Sequence, residues 1–548
     1  MSNGNGTNKP NTLMRNASFL MVATLVSRVI GLLYRSPLRS VVGELGMGYY
    51  GFASDVYVIL LLISAYSIPM AIAKVISDRI ALKQYRNAHT VFKGALLYAV
   101  VVGGIAALIA VFGGRFLLYS NQQNALLSLQ ILGPTIFLSA ILGVLRGYFQ
   151  AHNNMVPTAI SQVLEQVANA VISIVAALFF IKTFATTGDE VSEAIYGSAG
   201  GALGTGAGVL IGLLFMLFVY MLNKNTIKRQ ITNDRTSQEE SLKYAMKIII
   251  LMVTPVIFST FIYSANTYIN SYLFSVLMGR GGMEGTAIAK LYGEFSGCYS
   301  PLINIPLALS SATSSAMLPE VAGLYARKEI DAIQDKIHTS IRLTMFIVIP
   351  AAMGLSVLAF PIMKVLFSTS TDVSGYLLMF GSFSVIFAAL STITNGVLQA
   401  IGKPKIPLRN AAISLGLNIV TLVGLLWFSD VLGIYAILIA SVVFVVSMCI
   451  LNQFALKKYL GFENEYTKTY VQPLLAALGM GVVAWLSYYS LHLIVPVRIV
   501  CLAVAVILGI GTYLILYVVI AKPSEEELRR FPFGNYAVKF MKLIRVYK

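Results

Sequence analysis

Residues 499–521 read IVCLAVAVILGIGTYLILYVVIA, without one charged or amide side chain. As a helix rising ~1.5 Å per residue, such a stretch crosses the ~30 Å hydrocarbon core of a bilayer. Working back toward the N-terminus, comparable runs recur along nearly the whole chain. They place spans at 15–40, 51–74, 91–113, 125–149, 158–182, 197–222, 246–276, 287–318, 341–367, 373–400, 408–428, 432–456, 471–493 and 497–521. Backbone groups in lipid must be satisfied within a helix or a closed barrel. The runs are continuous rather than ten-residue alternations, so they are helices. The expected fold is all-α, a polytopic membrane protein of about fourteen transmembrane helices.

Composition agrees. The 548 residues have a mean hydropathy of +0.78, 57% of them are hydrophobic and only 11% are charged. A soluble globular chain carries about 25% charged residues, so too little polar surface remains for a soluble body. Cys298, Cys449 and Cys501 all fall inside predicted spans without paired spacing, as small apolar residues do. They give no disulfide or metal framework. No small-residue cleavage site follows the first span, which is expected to stay as an uncleaved anchor.

Orientation follows from Lys and Arg in the short loops. With the N-terminus inside, most of the 40 Lys and Arg fall on inside segments, whereas the outside loops hold only Arg115, Lys182, Arg280, Lys290 and Arg498. Both termini are therefore expected in the cytoplasm. The net charge of +17 is explained by this topology and by attraction to anionic membrane lipid, with no nucleic acid implied.

A weak internal repeat divides the chain. Phe149-Gln150-Ala151 with Pro157 opening the next helix matches Leu398-Gln399-Ala400 with Pro407. Ile68-Pro69-Met70-Ala71 matches Ile305-Pro306-Leu307-Ala308. Both offsets are six spans, an even number, so the two units are parallel repeats. The expected layout is an N-terminal tail (1–14), a first six-helix lobe (15–222), a cytoplasmic linker (223–245) and a second six-helix lobe (246–456). Two extra helices (457–521) and a basic cytoplasmic tail (522–548) follow. Two such lobes around a central cavity are a transporter plan.

Ionisable groups inside a membrane are costly and usually face a cavity. The first span carries Arg28, Arg35 and Arg39. Steps of 7 and 11 residues return to within about 20° on a helix, so the three form one stripe ~16 Å long. No carboxylate of that helix pairs with them. Arg39 and Arg35 lie near enough to the interface to snorkel, but Arg28 lies too deep. The stripe suits an anion-binding cavity, because the guanidinium fork holds phosphate bidentately and stays charged.

Further polar residues are placed on the cavity wall. Span two offers Asp55 and Lys74, the latter spaced to pair with Asp78. Span five offers Ser161, Gln162, Glu165, Gln166 and Asn169 on one wide face. Glu165 there either counters an arginine of span one or binds a coupling cation. Asn266 and Asn270 of span seven, with Glu294 and Asn304 of span eight, complete the set. Most intramembrane positives are in the first lobe. That asymmetry suits a substrate with phosphate near one lobe and a neutral polar part near the other.

Other chemistry lacks its residues. No Gly-x-x-x-x-Gly-Lys-Ser/Thr loop is present. The four histidines, His89, His152, His338 and His492, are scattered. Asp189-Glu190 is an isolated acidic pair, not a metal-dependent transferase site. The glycines of 200–208 point to close helix packing. Catalysis, metals and organic cofactors are not expected.

Several motifs carry a resemblance. They are Ser27-Arg28-Val29-Ile30-Gly31 followed by Arg35, Gly46-Met47-Gly48-Tyr49-Tyr50-Gly51, and Ser67-Ile68-Pro69-Met70-Ala71-Ile72-Ala73-Lys74. To these are added Leu145-Arg146-Gly147-Tyr148-Phe149-Gln150, Met155-Val156-Pro157-Thr158-Ala159, Ser161-Gln162-Val163-Leu164-Glu165-Gln166, and Leu318-Pro319-Glu320-Val321-Ala322. On these residues the chain resembles the multidrug/oligosaccharidyl-lipid/polysaccharide (MOP) exporter superfamily. Within it, the bacterial lipid II flippase and stage V sporulation protein B branch is the most similar.

The resemblance implies a V-shaped cavity, alternating access and an undecaprenyl-pyrophosphate-linked glycan moved from the inner to the outer leaflet. Arg28 matches a functionally required family arginine, and Arg35 is the nearest match to a second. The acidic residue that often follows the second is absent, because Ser36-Pro37 stands there. The implied partners are membrane lipids and cell-wall or polysaccharide synthesis proteins. Coupling by membrane potential, H+ or Na+ stays open. Two other readings remain: a MATE-type cation-coupled multidrug antiporter, and a membrane assembly factor without transport.

Overall fold

In a computed structural model the described residues are 23–66, 68–234, 239–428 and 430–522. The terminal tails, the start of the first span, Ser67 and the middle of the linker lie outside them. Among the described residues every regular element is helical. The apolar runs become α4 (Tyr85–Leu117), α5 (Leu126–Ala151), α6 (Val156–Phe184), α7 (Glu190–Thr232), α8 (Leu242–Arg280), α15 (Lys405–Phe428), α16 (Tyr435–Leu460), α17 (Gln472–Ile494) and α18 (Arg498–Ala521). Local signals set several starts. Asp189 caps α7 by accepting from Val191 N, with Glu190 and Glu193 in the first turn, and Pro157 opens α6.

Among the described residues ten helices are long and apolar enough to cross a membrane, or eleven if α13 (Asp372–Gly381) and α14 (Ser384–Ala400), bent by 49°, form one span. The chain is therefore a multi-pass helical membrane protein. The expected spans that depart from one straight helix do so for visible reasons. The first begins outside the described residues and continues as the short α1 (Ala23–Leu33). Only Tyr34, itself in helical conformation, separates it from α2 (Arg35–Leu61), which replaces the predicted loop at 41–50 with two helical stretches meeting at a kink. Helical geometry lapses inside α2 at Gly43 alone, with φ 72° and ψ 179°. Glycine adopts that conformation without the Cβ clash other residues suffer.

The second predicted span continues from α2 through a π turn, Leu62–Tyr66, into α3 (Ile68–Ala81). The eighth is α9 (Gly285–Gly293), a π turn Glu294–Tyr299 and α10 (Ser300–Ala326). The ninth is α11 (Ile330–Val357) and α12 (Ala359–Leu366), and a third π turn, Thr467–Val471, precedes α17.

The chain forms two compact units. One comprises the described residues up to Gly297 with Leu422–Ile437; the other comprises Cys298–Thr421 with the described residues from Leu438 on. In the first, Ile72, Val91, Leu145 and Met216 belong to a core shared by α3, α4, α5 and α7. The glycines of α7 pack it onto α6 as the sequence indicates. A Cβ on Gly200 would stand 2.5 Å from the Ala177 backbone. Gly200→Val should therefore destabilise the unit by about 1–3 kcal/mol or more. A thermal midpoint in detergent equal to the unchanged protein's would contradict the close packing.

In the second unit, Ile337, Met345, Ile393 and Tyr513 belong to a core of α11, α14 and α18, where Tyr513 OH donates to Phe346 O at 2.7 Å. The segment before α17 is tied to α11 by Gln334 Nε2 donating to Leu460 O (2.6 Å) and by Arg342 with Glu465 (2.5 Å). Burial pushes the Glu465 carboxyl up, but the hydrogen bond and charge of Arg342 outweigh it and hold the group below its ordinary value.

Candidate functional site

Helix α2 crosses α9 at very short range because both present glycine at the crossing. The backbone of Ala289 occupies the place of a Gly48 Cβ, and the Glu44 carbonyl that of a Gly293 Cβ. This approach brings Arg39 to Glu294, at the start of the π turn, with Nη2 to Oε1 2.6 Å. Arg39 is fully buried and Glu294 is 2% exposed, and Glu44 adds a second carboxylate at 3.3 Å. Arg35 Nη1 donates to the Ser296 carbonyl at 3.0 Å. Lys290 and Glu190 form an exposed pair nearby at 2.7 Å.

The arginine stripe therefore does not form one unpaired face. Arg39 is buried and paired, Arg35 is half-buried and bonded to backbone, and Arg28 is exposed. Tyr34 keeps helical backbone angles (φ −71°, ψ −20°), so the three arginines share one helical path and differ in what surrounds them. The carboxylates facing Arg39 are Glu44, just past Gly43, and Glu294, 255 residues away.

Around Arg28 the structure assembles the polar face expected on span five. Thr24 Oγ1 donates to Gln162 Oε1 at 3.1 Å, Gly31 approaches Gln166 Oε1, and Asn169 Nδ2 donates to Tyr34 OH at 3.4 Å. Arg28 lies four residues after Thr24 and three before Gly31, on the same side of α1. Glu165 does not meet an arginine of the first span. Its partner is Arg146 of α5, which donates to Glu165 Oε2 at 2.8 Å and to Ser161 Oγ at 2.9 Å. Glu165 is thus compensated within α5 and α6, leaving the Arg28 charge to its exposed surroundings.

The remaining predicted residues are divided among four helices. Asp55 accepts a hydrogen bond from Tyr292 OH. Asn266 and Asn270 are buried on α8. Lys74 and Asp78 on α3 are exposed and, among the described residues, form no ion pair; Asn304 is exposed on α10 in the second unit.

One polar cluster was not anticipated. In the second unit Asn452 Nδ2 donates to Asn395 Oδ1 (2.8 Å) and Thr394 Oγ1 (3.1 Å), and Asn410 Nδ2 donates to Asn452 Oδ1 (2.9 Å). Ser414 and Asn418 follow Asn410 at four-residue steps, fully buried. That spacing on α15 is the signal that could have revealed the cluster.

A polytopic helical body built this way is a multi-pass membrane fold seen in other solved structures. A solved structure described as the inward-facing conformation of a multidrug resistance MATE family transporter of the MOP superfamily superposes with a TM-score of 0.64 at 15% identity. It covers 82% of this chain and 98% of that one. A second, described as lipid II flippase MurJ in an inward closed conformation, gives 0.62 at 15% identity over 92% of this chain and 98% of that one. The family model for lipid II flippase MurJ matches residues 81–505, and the chain belongs to that family. A curated relative, stage V sporulation protein B of Bacillus subtilis (strain 168), is 25% identical over 535 residues, covering 95% of this chain and 98% of the relative.

Proposed function

We propose that the chain is a flippase for an undecaprenyl-pyrophosphate-linked glycan. It moves this substrate from the inner to the outer leaflet of the bacterial plasma membrane by alternating access. The peptidoglycan precursor lipid II is preferred over capsule or teichoic-type polymers. Arg28 carries this reading: it is an exposed guanidinium on α1, beside the amide-rich face of α6. A guanidinium there captures pyrophosphate through paired charge-assisted bonds, while the amides of Gln162 and Gln166 suit a neutral sugar. Family membership supports the substrate class, and the Lys and Arg distribution supports cytoplasmic termini. Membrane lipids and wall-synthesis proteins are the partners of such a step.

The test is reconstitution. Vesicles containing the protein and labelled lipid II should show protein-dependent transfer of label between leaflets. A polyprenyl glycan lacking phosphate should stay where it was placed. Equal transfer in protein-free vesicles would sink the proposal.

A further inference from the structure

Asp55 is a carboxylate within α2, a helix long and apolar enough to span a membrane. Its Oδ2 accepts from the Tyr292 hydroxyl of α9, while the Ser271 hydroxyl of α8 donates to the Tyr268 carbonyl. Tyr292 is 1% exposed and is held in place by stacking on Phe52, one turn before Asp55, at 4.5 Å and 9°. Asp55 itself is partly exposed. The titratable groups facing it are Tyr292 from α9 and Tyr268 from α8. Among the described residues no Lys, Arg or His faces it, and it forms no ion pair.

A carboxylate in a spanning helix without a cation is costly, and the one hydroxyl donor, Tyr292, relieves only part of that cost. Binding a positive charge removes it. A metal ion would need about six oxygen ligands, whereas the described surroundings offer the carboxylate and the Tyr292 hydroxyl. A proton needs only one carboxylate oxygen.

We propose that Asp55 is a proton-binding site. While ionised, the carboxylate ties α2 to α9 through Tyr292. A proton added to one carboxylate oxygen weakens the tie, because a hydrogen bond to an ionised acceptor is roughly twice as strong as one to a neutral acceptor. The same α2–α9 crossing holds Arg39 to Glu294 and Arg35 to the Ser296 carbonyl, so proton uptake loosens a contact that also anchors two arginines. That this proton couples to glycan movement rests on the flippase reading above; the binding of the proton does not.

The experiment uses the full chain in lipid nanodiscs, without substrate. Infrared difference spectra across a pH titration should show a protonated-carboxyl band that is missing in Asp55→Asn. Tyr292→Phe should move the midpoint of the band to higher pH, because it removes a donor that favours the ionised form. An unchanged titrating band in Asp55→Asn overturns the proposal. So does a wild-type band that disappears when sodium replaces potassium at fixed pH, which would make the site a metal-cation site. The Tyr292→Phe shift keeps the test decisive if Asp55→Asn folds poorly. With labelled lipid II in vesicles, an imposed pH gradient should change the wild-type flipping rate severalfold and leave Asp55→Asn unresponsive. Wild-type flipping indifferent to the gradient overturns the coupling. Absence of any flipping defeats the flippase reading and leaves the infrared result standing.

Discussion

Arg28→Ala should lower flipping of a pyrophosphate-linked glycan at least ~30-fold while leaving protein level and thermal midpoint unchanged. Removing one partner of a close charge pair typically costs roughly 2–5 kcal/mol, and each 1.4 kcal/mol is about tenfold. Stability is spared because Arg28 is exposed and its helix is held to α6 through Thr24 and Gly31 instead. Arg28→Lys should fall between the two. Lysine keeps the charge but offers a point donor in place of a planar fork. Rates in reconstituted vesicles, normalised to protein, give the answer, and normal transport by Arg28→Ala would remove the observation on which the functional proposal stands.

Arg39→Leu should instead behave as a folding defect. It removes the guanidinium 2.6 Å from buried Glu294, and breaking a buried pair on one side costs about 3–5 kcal/mol. Glu44, 28% exposed, can turn outward, but Glu294 at 2% exposure is enclosed by the α2–α9 crossing. Arg39→Leu combined with Glu294→Leu should recover much of the loss, because replacing both charges with apolar groups is often neutral or stabilising. Thermal midpoints of the two single variants and the double variant decide the matter. Single variants as stable as the unchanged protein would show that the pair contributes little. The contrast between Arg28 and Arg39 matters because one stripe in the sequence holds both.

How far the sequence carried the reading depends on the range of the physics involved. Hydrocarbon thickness and backbone hydrogen bonding act on every residue of a span, so 499–521 announces a helix by itself, and α18 covers it. Glycine packing in 200–208 was legible because small residues have one common use between membrane helices. The amide face of α6 was legible from four-residue spacing. Pairings were not. Glu294 meets Arg39 across 255 residues, and Glu165 chooses Arg146 although an arginine of span one has the same chemistry. The interruption expected at 41–50 is present, but one positive-φ glycine makes it as a kink where a loop was expected.

The π turn at Glu294–Tyr299 has a consequence for comparing this chain with its relatives. A π turn is an α-helix carrying one extra residue in a single turn. A relative without that turn should therefore align with a one-residue gap in the middle of a spanning helix, a place where gaps are usually dismissed as errors. The residues after the gap keep their faces, since the extra residue is absorbed in the bulge. A gap at this point would mark descent through an insertion, and its presence or absence would sort relatives by whether they keep an acidic side chain on the bulge opposite α2.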